Sequence, residues 1–150
     1  METYTEKIGS KLNELLEKNY DAEKGYKKAS ENTENLSLKN FFQRKAQERY
    51  NFGHEIKSEL QTFGEEPDKG GSFTGSMHRT WMDVKAIFSS DNEEAMLEEA
   101  IRGEKASVEE YEDVLNEMSL PDSTKNLLLN QKNTICNDLN NIKRLEDLND

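Results

Sequence analysis

The chain is short of the residues that would give it most kinds of chemistry. Its 150 residues include one cysteine, Cys136, which excludes an intrachain disulfide and a cysteine-rich zinc site. There are two prolines and eight glycines, few enough to leave room for long unbroken helices. No apolar run approaches the ~20 residues that a membrane-spanning helix requires. Met1-Glu2-Thr3-Tyr4-Thr5-Glu6 has neither a positive region nor an apolar one, so no signal peptide is expected and the cytoplasm is the expected location. No Ser-His-Asp arrangement, phosphate-binding glycine loop or CxxC motif is visible, and no catalytic residue is assigned.

Apolar residues are scarce too, at 33% against 34% charged, a ratio that suggests disorder when the apolar positions are scattered. Here they are periodic. The formal net charge of −11 lacks the basic footprint that nucleic-acid binding uses to displace counterions. A protein partner or a second copy of the chain remains open.

The periodicity predicts four amphipathic helices in one domain covering 1–150. In the third, about 91–118, the stripe is Leu97, Ile101, Glu104, Val108, Tyr111, Leu115 and Met118, in alternating steps of four and three. Glu104 is its only charged member, and a buried carboxylate must be paired, hydrogen-bonded, metal-bound or protonated. The first helix, about 4–33, carries Ile8, Leu12, Leu15, Asn19, Ala22, Tyr26 and Ala29, with Leu16 and Glu23 on the adjoining edge. The second, about 38–63 with Ser37 as N-cap, carries Leu38, Phe41, Phe42, Ala46, Arg49, Phe52, Ile56, Leu60 and Phe63, and Gly64 signals its end. The fourth, about 123–148, carries Leu127, Leu128, Gln131, Ile135, Asp138 or Leu139, Ile142 and Leu145.

Short links join helices 1 and 2 and helices 3 and 4, which predicts two antiparallel hairpins. The connection over 64–90 is long enough for helix 3 to run parallel to helix 2. Glu66-Pro67, Gly70-Gly71 and Gly75 break it, and a short amphipathic helix follows with Met77, Trp81, Val84, Ile87 and Phe88. The fold expected is all-α: an antiparallel four-helix bundle with one long crossover that contains a short helix, which is ferritin-like connectivity. Counted from the hairpin centres, Glu23 falls level with Glu48 and Arg49, and Glu104 level with about Ile135 to Asp138, to within about one turn.

One motif goes further. Gly71-Ser72-x-x-Gly75-x-x-His78-Arg79-x-Trp81-x-x-x-Lys85, preceded by Phe63-Gly64-Glu65-Glu66-Pro67, resembles the crossover of a bacterial ferritin-like family of unknown function whose members are described as four-helix-bundle or stress-associated proteins. Asp21-x-Glu23-x-Gly25-Tyr26, Arg49-x-x-Phe52-x-x-Glu55 and Arg102-Gly103-Glu104 fit the same pattern. The resemblance implies a stress-related role and gives His78, Arg79 and Trp81 a structural part in the crossover. The wider superfamily holds two metal ions, with one Glu from each of two helices and a Glu-x-x-His from each of the other two. This chain departs from that set: Glu48-x-x-Asn51 and Glu55-x-x-Ser58 lack the histidine, and Asn137 stands where helix 4 would supply one.

Two readings follow for Glu23, Glu48, Glu104 and Gln131. They are the remains or working parts of a metal site, with iron or manganese as the ion, or they form a buried polar layer with Arg49. In the second reading Glu23 pairs with Arg49, and Glu104 bonds Gln131 or the hydroxyl of Tyr26 or Tyr111. The layer is the favoured reading and points to a non-enzymatic bundle, because Arg49 already neutralises one carboxylate. An Arg49 that reaches Glu23 or Glu104 makes the layer a salt-bridge network.

Overall fold

A computed structural model describes residues 3–68 and 93–148. Among them are four long helices: α1 (Tyr4–Glu31), α2 (Leu36–Thr62), α3 (Glu93–Glu117) and α4 (Asp122–Asn141), followed by a 3-10 turn at Leu145–Leu148. The fold is an all-α four-helix bundle. The crossover expected over 64–90, with its short helix and the His78, Arg79 and Trp81 motif, lies largely outside the described residues, as do Asp91 and Asn92 ahead of α3.

Contacts along the helices set their directions. Lys11 meets Glu117 at 2.9 Å and Tyr4 Oη donates to the Ser119 carbonyl at 2.5 Å, while Asn19 reaches Tyr111 at 3.0 Å, so α1 and α3 are antiparallel. Asn35 donates to Glu93 at 3.0 Å and Arg49 to Ser107 at 3.1 Å, so α2 and α3 run the same way. From α2 to α4, Glu59 accepts from Thr124, Gln131 donates to the Phe52 carbonyl, and Lys45 reaches Asp138; that pair is antiparallel. Going round the bundle, every adjacent pair is therefore antiparallel. Thr62 and Glu93 lie at opposite ends.

The helix ends follow local chemistry. Asn35, two residues before Ser37, is the N-cap of α2, and its side chain accepts from the Leu38 amide. At the other end Gly64 adopts φ 70°, while its amide bonds the Gln61 carbonyl and that of Glu65 bonds Leu60, a Schellman closure. Helix α4 stops at Asn141 rather than continuing to Leu148. There Asp147 Oδ2 accepts from the Lys143 and Arg144 amides, at 2.8 and 3.1 Å, and so gives the backbone a partner other than a further helical turn.

All seven members of the α1 stripe are buried, as is the α2 stripe up to Leu60. In α3 the buried line is Leu97, Ala100, Glu104, Ser107, Tyr111 and Val114, with Ile101, Val108 and Leu115 half-buried beside it. The face is thus turned slightly from the expected stripe, toward the small Ala100 and Ser107. The core divides in two. One apolar cluster gathers Tyr26, Leu38, Phe42 and Leu97; the other gathers Leu12, Leu16, Ile56 and Leu128. Between them lies a layer of polar side chains.

Gly53 is buried in α2, and a methyl group built on it would meet Leu16 Cδ1 at 3.6 Å, an ordinary contact. A helix-interior glycine costs about 0.5–1 kcal/mol relative to alanine. Gly53→Ala is therefore expected to stabilise the protein by about that amount in urea unfolding; a loss of stability would show that the site has no room for the methyl group.

Candidate functional site

The polar layer is built from all four helices. Glu104 projects from α3 and is 3% exposed. Its Oε1 accepts from the Tyr26 hydroxyl of α1 and from Arg49 Nη2 of α2, the latter at 2.7 Å. Its Oε2 faces the Lys45 ammonium at 3.1 Å as an ion pair, and among the described residues no donor is aligned to hydrogen-bond it. Both carboxylate oxygens thus meet a protein cation. Burial alone pushes the Glu104 carboxyl up, but the Arg49 guanidinium and the Lys45 ammonium outweigh it and hold the group at about 2.

Arg49 extends the network. Nη1 donates to Asn19 Oδ1 at 2.9 Å, and Nη2 also reaches Ser107 Oγ at 3.1 Å. Asn19 Nδ2 bonds the Leu15 carbonyl and Tyr111 Oη, and that hydroxyl donates to Gln131 Oε1 at 2.6 Å. Gln131 Nε2 closes the line on the Phe52 carbonyl and on Glu55 Oε1 at 2.9 Å. Burial raises the Tyr111 hydroxyl to about 12 and the Tyr26 hydroxyl well above its ordinary value, so both are neutral donors at physiological pH.

Lys45 was not among the expected site residues, yet its side chain is 0% exposed. Its ammonium pairs with Glu48 of α2, with Glu104 of α3, and with Asp138 of α4 at 2.8 Å. Desolvation opposes the charge, but the Glu104 and Glu48 carboxylates exceed it and raise the ammonium above its ordinary value. Lysine is almost never fully buried unless paired. Here it has three partners.

Of the residues expected at the site, the structure brings Glu48, Glu104, Arg49 and Gln131 into one network and leaves Glu23 out of it. Glu23 is half-buried on the α1–α2 side and pairs with Lys27 one helical turn on, at 2.8 Å. Asn19, one turn earlier, takes the Arg49 contact expected of Glu23. Gln131 bonds Tyr111 rather than Glu104. Arg49 does reach Glu104, so the layer is a salt-bridge network. His54 is exposed, edge-on to the Tyr50 ring at 4.5 Å, and Cys136 is half-buried and free. Among the described residues no group of three or more His, Cys, Asp or Glu side chains is arranged to hold a metal ion.

Fold and site together define an all-α four-helix bundle protein with a charged layer at mid-bundle whose centre, Lys45, Arg49 and Glu104, is buried. The chain belongs to a family described as a domain of unknown function, DUF2383, whose model matches residues 7–117. That match spans α1, α2 and α3, and so includes Lys45, Arg49 and Glu104. Neither a curated protein nor a solved structure matches the chain.

Removing one partner of a buried pair strands the other, which costs about 3–5 kcal/mol. Arg49→Met should therefore lose about that much in urea unfolding, and Glu104→Gln added to it should recover part of the loss. A double variant less stable by the full sum of the two single losses would show that the residues act independently.

The acid side gives a second test. The folded Glu104 carboxyl titrates at about 2 against an ordinary 4.5, so its ionised form contributes fully above about pH 4.5 and the contribution is lost as pH falls toward 2. The shift corresponds to on the order of 3 kcal/mol. Burial raises Glu48 and so works in the opposite direction, which makes the comparison of wild type with Glu104→Gln the informative one. The thermal midpoint of the wild type should drop more steeply between pH 5 and pH 2 than that of Glu104→Gln; equal slopes would remove Glu104 from the account.

Proposed function

We propose that the chain is a single-domain, ferritin-like bundle protein with a non-enzymatic, stress-related role in the bacterial cytoplasm, and that its charged layer stands where related bundles keep a di-metal centre. The placement of two protein cations, Arg49 and Lys45, on the two oxygens of Glu104 carries this reading. The arrangement of the helices supports it: α2 and α3 are parallel, so the end of α2 at Thr62 and the start of α3 at Glu93 lie at opposite ends of the bundle, as in ferritin-like bundles with one long crossover.

Iron or manganese is the cofactor such a fold implies, and the residues do not fit a pair of these ions. A di-metal site of this type draws on four glutamates and two histidines. Here the interior offers Glu48, Glu104 and Asp138 with a guanidinium and an ammonium already among them, and both carboxylate oxygens of the central residue are taken. No reaction step is derived through a metal. Function then falls to the exterior, and the chain's net charge of −11 suits a protein partner or a second copy more than nucleic acid.

A second reading, a metal-binding ferritin-like oxidoreductase or storage-related protein, has one observation in its favour: three carboxylates from three helices converge on Lys45. Metal analysis of wild-type protein made in iron- and manganese-replete medium, and purified without chelator, separates the two. The proposal expects far less than one ion per chain. Stoichiometric iron or manganese that disappears in Glu104→Gln would overturn it in favour of the second reading.

A further inference from the structure

Charge is distributed unevenly round the bundle. Of the 19 exposed residues of α1 and α3, 14 are charged, whereas of the 22 exposed residues of α2 and α4 only four are. Helices α2 and α4 are neighbours, since Gln131 Nε2 donates to the Phe52 carbonyl and Thr124 to Glu59, so the two share one nearly uncharged side. Its most regular part is α4. Asn126, Asn130, Asn133, Asn137 and Asn141 follow one another in steps of four and three, all exposed, opposite the buried Leu128, Gln131 and Ile135. Between Asn126 and Asn141 the charged residues are Lys132 and Asp138, and both turn to other helices. Lys132 lies 4.0 Å from Glu112 of α3, and Asp138 meets Lys45 of α2 at 2.8 Å. Asparagine is a weaker helix former than glutamate or lysine, so the stripe weakens α4 relative to the charged faces of α1 and α3. Residues 65–68, which follow α2, lie along α1, where Asn13 and Tyr20 bond Glu66 and Asp68, and so leave the stripe uncovered.

We infer that the α2–α4 side is a contact surface for a second copy of this chain, with α4 packed antiparallel on its own counterpart across a two-fold axis between Asn133 and Thr134. Charge, chemistry and symmetry each favour a copy over a different protein. Two chains of net charge −11 repel, and on this side they meet without bringing like charges together. A carboxamide both donates and accepts, so a face of asparagines complements itself with no opposite charge on the partner. The stripe is also symmetric about its middle. Reflection between Asn133 and Thr134 exchanges Asn126 with Asn141 and Asn130 with Asn137, which is what a two-fold contact between identical surfaces needs. The area is sufficient. The 20 residues of α4 are about 30 Å long, and α2 lies beside it at about 8–10 Å. A face of roughly 30 by 20 Å buries about 1,200 Å² over both copies, the lower end of the range for stable interfaces.

The inference rests on the reading that function lies at the exterior, but it is tested by mass and cross-linking, so its failure is distinct from the appearance of metal in the wild type. In sedimentation equilibrium at about 100 μM chain, the wild type is expected near twice its 17.3 kDa. Asn130→Glu combined with Asn137→Glu sets glutamates opposite one another across the axis and should raise the dimer dissociation constant roughly tenfold or more. Both positions are exposed and glutamate is the better helix former, so circular dichroism should show this variant fully helical. Ala106→Glu combined with Asn116→Glu makes the same charge change at exposed positions of α3 and should leave the dimer intact. Cross-linking reads the axis directly. In a Cys136→Ser background, Asn133→Cys should form an intermolecular disulfide on mild oxidation. Asn126→Cys, about 22 Å from its counterpart, should not. A wild type that stays monomeric overturns the inference and leaves this side to a different partner protein. A dimer unaffected by the paired α4 glutamates, or equal cross-linking from both cysteine positions, overturns it as well.

Discussion

A guanidinium and a carboxylate with no access to water must find each other, and the arrangement of this bundle follows from that requirement. Arg49 is 1% exposed and Glu104 3%, and their 2.7 Å contact crosses from α2 to α3, two helices that are not joined by a short turn. The desolvation penalty of each ion is several kcal/mol, so the pair depends on further partners. Asn19, Ser107, Tyr26 and Lys45 supply them, while Arg49 Nε has no hydrogen-bond partner among the described residues. The short hairpins bring α1 to α2 and α3 to α4; the charged layer is what ties one hairpin to the other at a single height.

That height matters because the rest of the core is permissive. The two apolar clusters on either side are rich in Leu, Phe and Ala at heptad spacing, and such faces pack acceptably when slid by a turn. Sliding α3 by one turn along α2 would set Glu104 level with Gly53 and Arg49 level with Ala100 in one direction, and in the other would leave Arg49 level with Ser107 or Val108 without its carboxylate. A penalty of that kind selects one register even when the paired state adds little net stability of its own. On this view the layer specifies the bundle more than it strengthens it, which is the best-attested use of buried polar groups.

Most of this was legible from spacing. The stripes of α1 and α2, the odd charges at Arg49 and Glu104, and Gln131 in α4 all stood on apolar seams, where a polar residue has to be explained. Lys45 is readable by the same rule. Leu38, Phe42, Lys45, Arg49, Phe52 and Ile56 follow one another in steps of four and three, and this line through α2 contains both buried cations. Taking Ala46 as the seam member satisfied the apolar pattern and hid the charged one, since lysine reads by default as surface. Glu23 failed for the converse reason. A lysine one turn away gives it a local partner that a count of helix levels does not weigh. The end of α4 was lost because the Asp147 carboxylate that caps the freed amides lies downstream of the break it stabilises.

An ammonium buried among three carboxylates has consequences for how such a core behaves. A metal layer depends on ion concentration through mass action, so its stability rises and falls with supply. A lysine on a four-carbon stem is present at fixed stoichiometry from synthesis onward. Its charge cannot change oxidation state, and its raised proton affinity keeps it charged across the physiological range. In the bundle Lys45 and Arg49 balance the charge of Glu104 at fixed stoichiometry, whatever the supply of metal ions. The carboxylate that pairs with both cations is the remaining point of weakness. Protonating it takes a pH near 2.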